Sequence, residues 1–283
     1  MAALVISRLT FLEALRRRIL LAAFLLGVAF LVVYGIGFHF MNQEVLLRPG
    51  AGTLESSMRT TISNFLALAG LYAVDFLAIA MGALISADTL AGEISSGTIQ
   101  SLVTKPLRRS DIVLGKWLGF AFLLAIYLVL MAGGVLAIAY FTTGYEVPNV
   151  LVGIALIYLS ALVVMTATLA LSSTLSTLAT GGVIFGLYGL GFIAGWVEQF
   201  GAFFQNQTAV DVGIVSSLLI PVDALWRRAS FEMTPALTQS LGFAVGGPFI
   251  TLSLPSPAMI VYAGIYLVVA LLLAIRQFSR RDL

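Results

Sequence analysis

Cysteine is absent from the sequence, and histidine occurs once, at position 39. Without cysteine the chain has no disulfide, no thiolate chemistry and no cysteine-based metal site. A metal site at His39 would need two or three further ligands of suitable type and spacing. Because it is the only histidine, we assign His39 a structural or interfacial role and predict no metal site.

Charged residues are also scarce: they make up 10% of the 283 residues, whereas hydrophobic residues make up 60%. Soluble domains contain about 25% charged and about 45–50% apolar residues. The net charge is only +2, and the basic residues form short runs beside apolar stretches. This pattern favours contact with anionic lipid headgroups over nucleic-acid binding. The composition therefore predicts a membrane protein without a nucleic-acid partner.

The sequence lacks the phosphate-binding loop of nucleotide hydrolases. That loop needs a glycine-rich turn followed by Gly-Lys-Ser or Gly-Lys-Thr, whose backbone N–H groups, lysine and hydroxyl hold the phosphates and magnesium. The one glycine-lysine pair, Gly115-Lys116, is followed by Trp117. We therefore predict no catalytic residue and no bound cofactor in this chain. Any ATP hydrolysis must come from another polypeptide.

Six apolar stretches, each close to the length of about 20 residues that crosses a bilayer, predict six transmembrane helices. They occupy residues 19–38, 62–86, 117–142, 150–172, 178–197 and 258–275. The membrane side that holds both termini carries eleven lysines and arginines, and the opposite side carries four. The positive-inside rule therefore predicts cytoplasmic termini, and we expect the protein in the plasma membrane.

Residues 1–18 have the pattern of a helix that lies in the membrane interface. Val5, Leu9 and Leu12 share one helical face, while Arg8 and Glu13 lie elsewhere. The predicted fold is all-α, with this amphipathic elbow helix followed by a single six-helix transmembrane domain at 19–283. A tight cytoplasmic connection is expected at 172–177.

The segment 87–116, between the second and third spans, concentrates charge on the cytoplasmic side. An apolar stripe within it predicts an amphipathic helix that continues the second span, and Pro106 ends that helix. Ser110 is the predicted N-cap of a helix that starts near Asp111. The result is a helix, a basic turn and a helix. The alternative is a solvated basic loop that only fixes the topology.

The order of residues in this segment resembles the first cytoplasmic loop of permeases in the type-2 ATP-binding-cassette exporter family. The matching positions are Glu93, Gly97, Thr98, Leu102, Pro106, Arg109, Leu114, Gly115, Lys116 and Gly119. Pro221, Asp223 and Arg227 also look like a recurring outer-loop feature of short six-span members, including those in copper-site maturation of nitrous oxide reductase.

This resemblance implies an efflux system in which two permeases, identical or paralogous, lie side by side. It also implies two cytoplasmic ATPase subunits that bind ATP and magnesium and receive the first cytoplasmic loop in a groove. The ATPase-coupling residues would be Glu93, Gly97, Thr98, Leu102, Lys105, Pro106, Arg108, Arg109, Gly115 and Lys116. Membrane lipid is the remaining expected contact.

Prolines interrupt the outer segment 198–257, which predicts interfacial or re-entrant helices before the last span. Trp226 and Phe231, beside Arg227 and Arg228, are candidates for interface anchors, a substrate gate or a surface for an extracytoplasmic partner. The sequence leaves these alternatives open.

Asp75 lies midway along its apolar stretch, where a carboxyl group costs about 2.5–3.5 kcal/mol on insertion scales and is by default a functional candidate. The alternative is a structural carboxyl group bonded to a tyrosine or serine. Two glycine motifs, Gly182 with Gly186 and Gly191 with Gly195, predict close helix packing either within the subunit or in a dimer.

Two other functions remain open at this point. The first is a secondary transporter driven by an ion gradient, with Asp75 as the coupling residue. The second is a membrane anchor that does not transport solute but recruits a cytoplasmic enzyme and assists an extracytoplasmic assembly.

Overall fold

The computed structural model describes residues 2–16, 18–43, 53–95, 108–240 and 251–280. Over these ranges the chain forms ten α-helices and no strand, which confirms the all-α fold class. The helices are α1 (Ala2–Arg16), α2 (Arg18–Met41), α3 (Thr53–Ser95), α4 (Arg109–Thr143), α5 (Val150–Ser172), α6 (Thr177–Phe203), α7 (Gln207–Ser217), α8 (Val222–Glu232), α9 (Ala236–Ser240) and α10 (Ala258–Arg280).

Six of these helices are long and apolar enough to cross a membrane, namely α2, α3, α4, α5, α6 and α10. Each contains one of the six predicted apolar stretches, so the six predicted spans are confirmed. A helix suits this environment because it satisfies its backbone N–H and C=O groups internally. The connection between α5 and α6 is as short as predicted, and the Ser176 side chain caps α6 by accepting a hydrogen bond from the backbone N–H of Ala179.

The predicted N-cap of the third span is wrong by two residues. The helix α4 begins at Arg109, and its cap is Arg108 in an extended conformation rather than Ser110. No side chain bonds to the cap, so the hydroxyl signal that favoured Ser110 was misleading here. At the other end, Gly144 adopts a left-handed conformation with φ of 69° and donates its N–H to the carbonyl of Tyr140, which ends the helix.

The helix α5 occupies the centre of the bundle. It packs against α3, α4, α6, α8 and α10, and Ile157 and Val164 are fully buried. The same hydrophobic cluster includes Leu71 and Val74 of α3, which are also fully buried. The helix α2 lies at the periphery and presents most of its apolar surface outward, as expected for a span that faces lipid or another subunit.

The amphipathic helix α1 packs along α4. The apolar side chains Val5, Leu9 and Leu12 that were predicted to share a face are 60%, 59% and 45% exposed. The opposite side of α1 approaches Gly115 and Gly119, where an added Cβ atom would meet Ile6 and Thr10. The small residues of α4 thus allow α1 to pack closely against it. The apolar face formed by Val5, Leu9 and Leu12 remains exposed on the surface of the subunit.

Two short helices, α7 and α8, precede the last span and meet at an angle of 109°. The helix α7 lies along α6, and α8 packs between α5 and α6. Ile220, at the bend, is fully buried and contacts the position of Gly191 midway along α6. At the far end of α8, Met233 reaches Gly153 near the start of α5. The predicted outer helices are therefore packed into the bundle rather than detached from it.

Candidate functional site

Arg227 is the centre of a buried charge cluster formed mainly by the segment 198–257. Its Nε donates to Asp223 Oδ2 at 2.9 Å, and its Nη2 donates to Glu198 Oε2 at 2.6 Å. Its Nη1 donates to the carbonyl of Ser253 at 3.0 Å. Asp223 and Arg227 share one face of α8 because they are four residues apart. All three nitrogens of the guanidinium therefore donate to acceptors within the chain.

Glu198 brings α6 into this cluster. Its Oε1 accepts a hydrogen bond from Ser253 Oγ at 2.6 Å, while its Oε2 binds Arg227. The neighbouring Gln199 accepts hydrogen bonds from the backbone N–H groups of Leu252 and Ser253 at 2.9 and 3.2 Å. The cluster therefore joins α6, α8 and the segment that leads into α10.

The side chains of Arg227 and Glu198 are only 5% and 3% exposed. A buried charge is costly unless it is paired and its remaining lone pairs or protons are bonded, and this cluster meets both conditions. Such a network fixes the position of α8 in the bundle, because moving the helix would leave charges buried without partners.

Asp75 lies close to this cluster. It is 2% exposed, and its Oδ1 has no hydrogen-bond partner in the described part of the chain. Asp75 and Asp223 line one small cavity together with Tyr72 and Tyr188. The structure therefore brings together two predicted site residues that are far apart in the sequence. The structural alternative for Asp75 was a carboxyl group bonded to tyrosine or serine. It does not explain why Oδ1 lacks a hydrogen-bond partner.

A larger cavity of about 160 Å³ lies next to the first and shares four of its lining residues, Tyr72, Phe192, Asp223 and Trp226. Trp226 is 5% exposed, and its ring centroid is 5.0 Å from that of Tyr72. Of the three roles open for Trp226, its burial disfavours a surface anchor or a surface for an external partner. Its ring is part of an internal wall.

The glycines of α6 divide into two groups. A Cβ atom at Gly195 would clash with the carboxylate of Asp223, and one at Gly191 would contact Ile220 at 2.9 Å. By contrast, an added Cβ atom at Gly182 or Gly186 meets nothing within 4 Å. The second motif, Gly191 with Gly195, therefore packs within the subunit. The first motif has no such packing role in the described structure.

The family follows from comparison with known proteins. The sequence model of the family described as "ABC-2 family transporter protein" matches residues 4–283, which is nearly the whole chain. The chain belongs to this family. It is thus a multi-pass membrane protein, and membership supports a permease of an ABC transporter that works with ATPase subunits.

One similar protein is the "Probable ABC transporter permease protein NosY" of Stutzerimonas stutzeri. The two sequences are 32% identical over 142 residues. The aligned region covers 50% of this chain and 47% of that protein, so the match spans about half the length of the relative. Both comparisons confirm the resemblance to ABC permeases that the first cytoplasmic loop indicated.

The residues predicted to couple this ABC-2 family chain to an ATPase are only partly within the described ranges. Gly97, Thr98, Leu102, Lys105 and Pro106 lie outside them. Glu93 lies in the last turns of α3, so the second span does continue as a helix beyond its apolar stretch.

The remaining residues of this predicted set belong to α4 or its cap. Arg108 is exposed, and Arg109 donates from Nη1 to the carbonyl of Ser279 in α10 at 3.2 Å. Gly115 and Lys116 are buried, and Gly115 faces α1. This end of α4 therefore contacts both the first and the last helix of the chain.

Sequence reasoning assigned no role to Glu198 or Ser253. Glu198 did carry a signal, because it is the first charged residue after the uncharged stretch 147–197. A charged residue at the end of such a stretch pairs either with a lipid headgroup or with a buried side chain. A single sequence does not distinguish these two possibilities. Pro221 occupies the cap of α8 and thus helps to begin the helix that carries Asp223 and Arg227.

Proposed function

We propose that this chain is the membrane-spanning subunit of an ATP-driven exporter. Two such subunits, identical or paralogous, form the pathway in the plasma membrane, and two cytoplasmic ATPase subunits bind ATP and magnesium. The observation that carries this proposal is the family match over residues 4–283. ATP-driven closure of the ATPase subunits moves the loop 87–116, and the attached helices transmit the displacement.

The contacts at one end of the bundle support this transmission. Thr177 at the start of α6 donates to Asp88 of α3 at 3.1 Å. Ser173, between α5 and α6, donates to Gln277 of α10 at 2.7 Å, and Arg109 of α4 bonds to α10 as well. The helices that flank the loop, α3 and α4, are thus bonded to α6 and α10, and packed helices move as rigid bodies rather than deform.

Charge reversal tests the docking step. We expect the double variant Arg108→Glu with Arg109→Glu to reduce copurification of the ATPase subunit about tenfold, because interface charges steer and orient association. Substrate-stimulated ATP hydrolysis should fall in parallel. The measurements are pull-down of the ATPase with the purified permease and the hydrolysis rate of the reconstituted complex.

A matched control is Arg8→Glu with Arg16→Glu, which reverses two exposed charges on α1 instead. It should leave ATPase binding within twofold of the unchanged protein. Full binding and hydrolysis in the loop variant would contradict the docking assignment.

The proposed topology has its own test, which the absence of cysteine makes direct. Thr174, between α5 and α6, and Thr208, at the start of α7, are both exposed. In intact cells a membrane-impermeant maleimide should label Thr208→Cys and spare Thr174→Cys. After the membrane is opened, both variants should be labelled. The reverse pattern in intact cells would show that the basic loop faces outward and would refute the proposal.

A further inference from the structure

The larger cavity has aromatic walls from three helices. Tyr72 belongs to α3, Phe192 and Trp196 belong to α6, and Trp226 belongs to α8. Aromatic faces carry a negative electrostatic potential and attract cations within about 6 Å of the ring centroid. An apolar neutral ligand would also fit such walls, so the charges around the cavity decide which class of ligand it takes.

These charges are unbalanced. Two acidic side chains, Asp75 and Asp223, line the two cavities, and a third, Glu198, pairs with Arg227, the one guanidinium that lines them in the described structure. Arg227 already donates to both Glu198 and Asp223 and to the carbonyl of Ser253. It therefore has little capacity left for an anionic ligand, which disfavours phosphate or carboxylate cargo at this site.

Asp75 supplies the independent indication of a ligand. Asp75 lines the smaller cavity, and its buried Oδ1 has no hydrogen-bond partner in the described chain. A buried polar atom without a partner costs free energy, and a water or an ion bound beside it is one of the ways in which native structures offset that cost. The smaller cavity has a volume of about 10 Å³, which is too small for an organic ligand. A ligand in the adjoining chamber would therefore interact with this oxygen electrostatically or through a bridging water.

We propose that the aromatic chamber binds a small organic cation, with its charge against the aromatic rings and its electrostatic balance supplied by Asp75 and Asp223. The chamber of about 160 Å³ is close to a cavity of about 150 Å³ that accommodates benzene, so a compact cation such as tetramethylammonium fits it. As a statement about exported cargo, this inference rests on the proposed transport function. As a statement about a binding site, it does not.

The test is direct binding to the full-length chain without nucleotide or ATPase. The protein is placed in nanodiscs of phosphatidylglycerol and phosphatidylethanolamine, which contain no quaternary ammonium headgroup. Tetramethylammonium and choline are titrated by calorimetry, and tryptophan fluorescence reports on Trp196 and Trp226. We expect saturable binding, and about tenfold weaker binding of 3,3-dimethylbutanol, the uncharged analogue of choline, because a charge is worth more in a low-dielectric site.

The variant Asp75→Asn keeps the side-chain volume but cannot take up a negative charge when a cation binds, so cation affinity should fall about tenfold while affinity for the uncharged analogue stays unchanged. The matched control is Asp211→Asn, at an exposed carboxylate of α7 that bonds only to Gln207 in the described chain. It should leave cation affinity unchanged.

Two outcomes overturn the site: equal affinity for choline and its uncharged analogue in the unaltered protein, or an Asp75→Asn variant with full cation affinity. The first needs no variant and so stands even where a substitution impairs folding. Saturable cation binding in a protein whose loop variants retain full ATPase coupling would uphold the site while refuting the docking proposal.

Discussion

Replacement of Arg227 by methionine is expected to lower the free energy of unfolding by roughly 3–5 kcal/mol. The guanidinium binds Glu198 at 2.6 Å and Asp223 at 2.9 Å, and its own side chain is 5% exposed. Its removal leaves two carboxylates in a water-poor site without a counter-charge. The measurement is denaturant unfolding of the purified full-length protein in detergent micelles, followed by tryptophan fluorescence.

The adjacent arginine provides the control. Arg228 also pairs with an acid four residues away, Glu232 at 2.6 Å, but these side chains are 20% and 23% exposed. Because this pair keeps more access to water than the Arg227 cluster, Arg228→Met should cost clearly less than Arg227→Met. Equal losses in the two variants would show that the Arg227 cluster does not act as a buried network.

Neutralising the whole cluster separates the loss of attraction from the cost of unpaired charge. In the triple variant Arg227→Met, Glu198→Gln and Asp223→Asn, no ionised group is left in this cluster. Because most of the cost of the single substitution comes from the stranded carboxylates, the triple variant should be more stable than Arg227→Met alone. A further loss of stability on neutralisation would contradict this explanation.

The membrane-spanning part of the fold was predictable from sequence because one physical quantity determines it. A stretch of about 20 apolar residues is both necessary and nearly sufficient for a span, and all six such stretches are within long helices. Proline density in the segment 198–257 likewise predicted interfacial or re-entrant helices, and the described part of this segment contains the short helices α7, α8 and α9. These signals are local, so a single sequence contains them.

The site could be predicted only in part, because its geometry depends on contacts between distant positions. Asp75 and Arg227 were each singled out, by a charge in an apolar stretch and by family resemblance. That Asp75 and Asp223 share a cavity, and that Glu198 completes the cluster, follows from how α6 and α8 pack. Local patterns in one sequence carry no information on that packing. The N-cap of α4 failed for a related reason, because the start of that helix depends on its tertiary surroundings as well as on a nearby hydroxyl.

Packing also explains why α6 needs a glycine where it meets α8. A Cβ atom at Gly195 would clash with the Asp223 carboxylate, and moving this carboxylate aside would weaken its bond to Arg227. We therefore expect Gly195→Ala to destabilise the protein by about 1–3 kcal/mol, the usual cost of overpacking. The unfolding measurement used for Arg227 applies here as well.

Gly189→Ala is the matched control, since it lies in the same helix and an added Cβ atom there meets nothing within 4 Å. Alanine is favoured over glycine in a helix by about 0.8–1.0 kcal/mol, so this variant should be neutral or slightly more stable. The clash is then isolated by combining Gly195→Ala with Asp223→Ala. If the carboxylate is the obstacle, the cost of the added methyl group must shrink in this background, because the two substitutions remove the same contact. An undiminished cost would place the obstruction elsewhere, and the close approach of α6 and α8 would then not depend on Gly195.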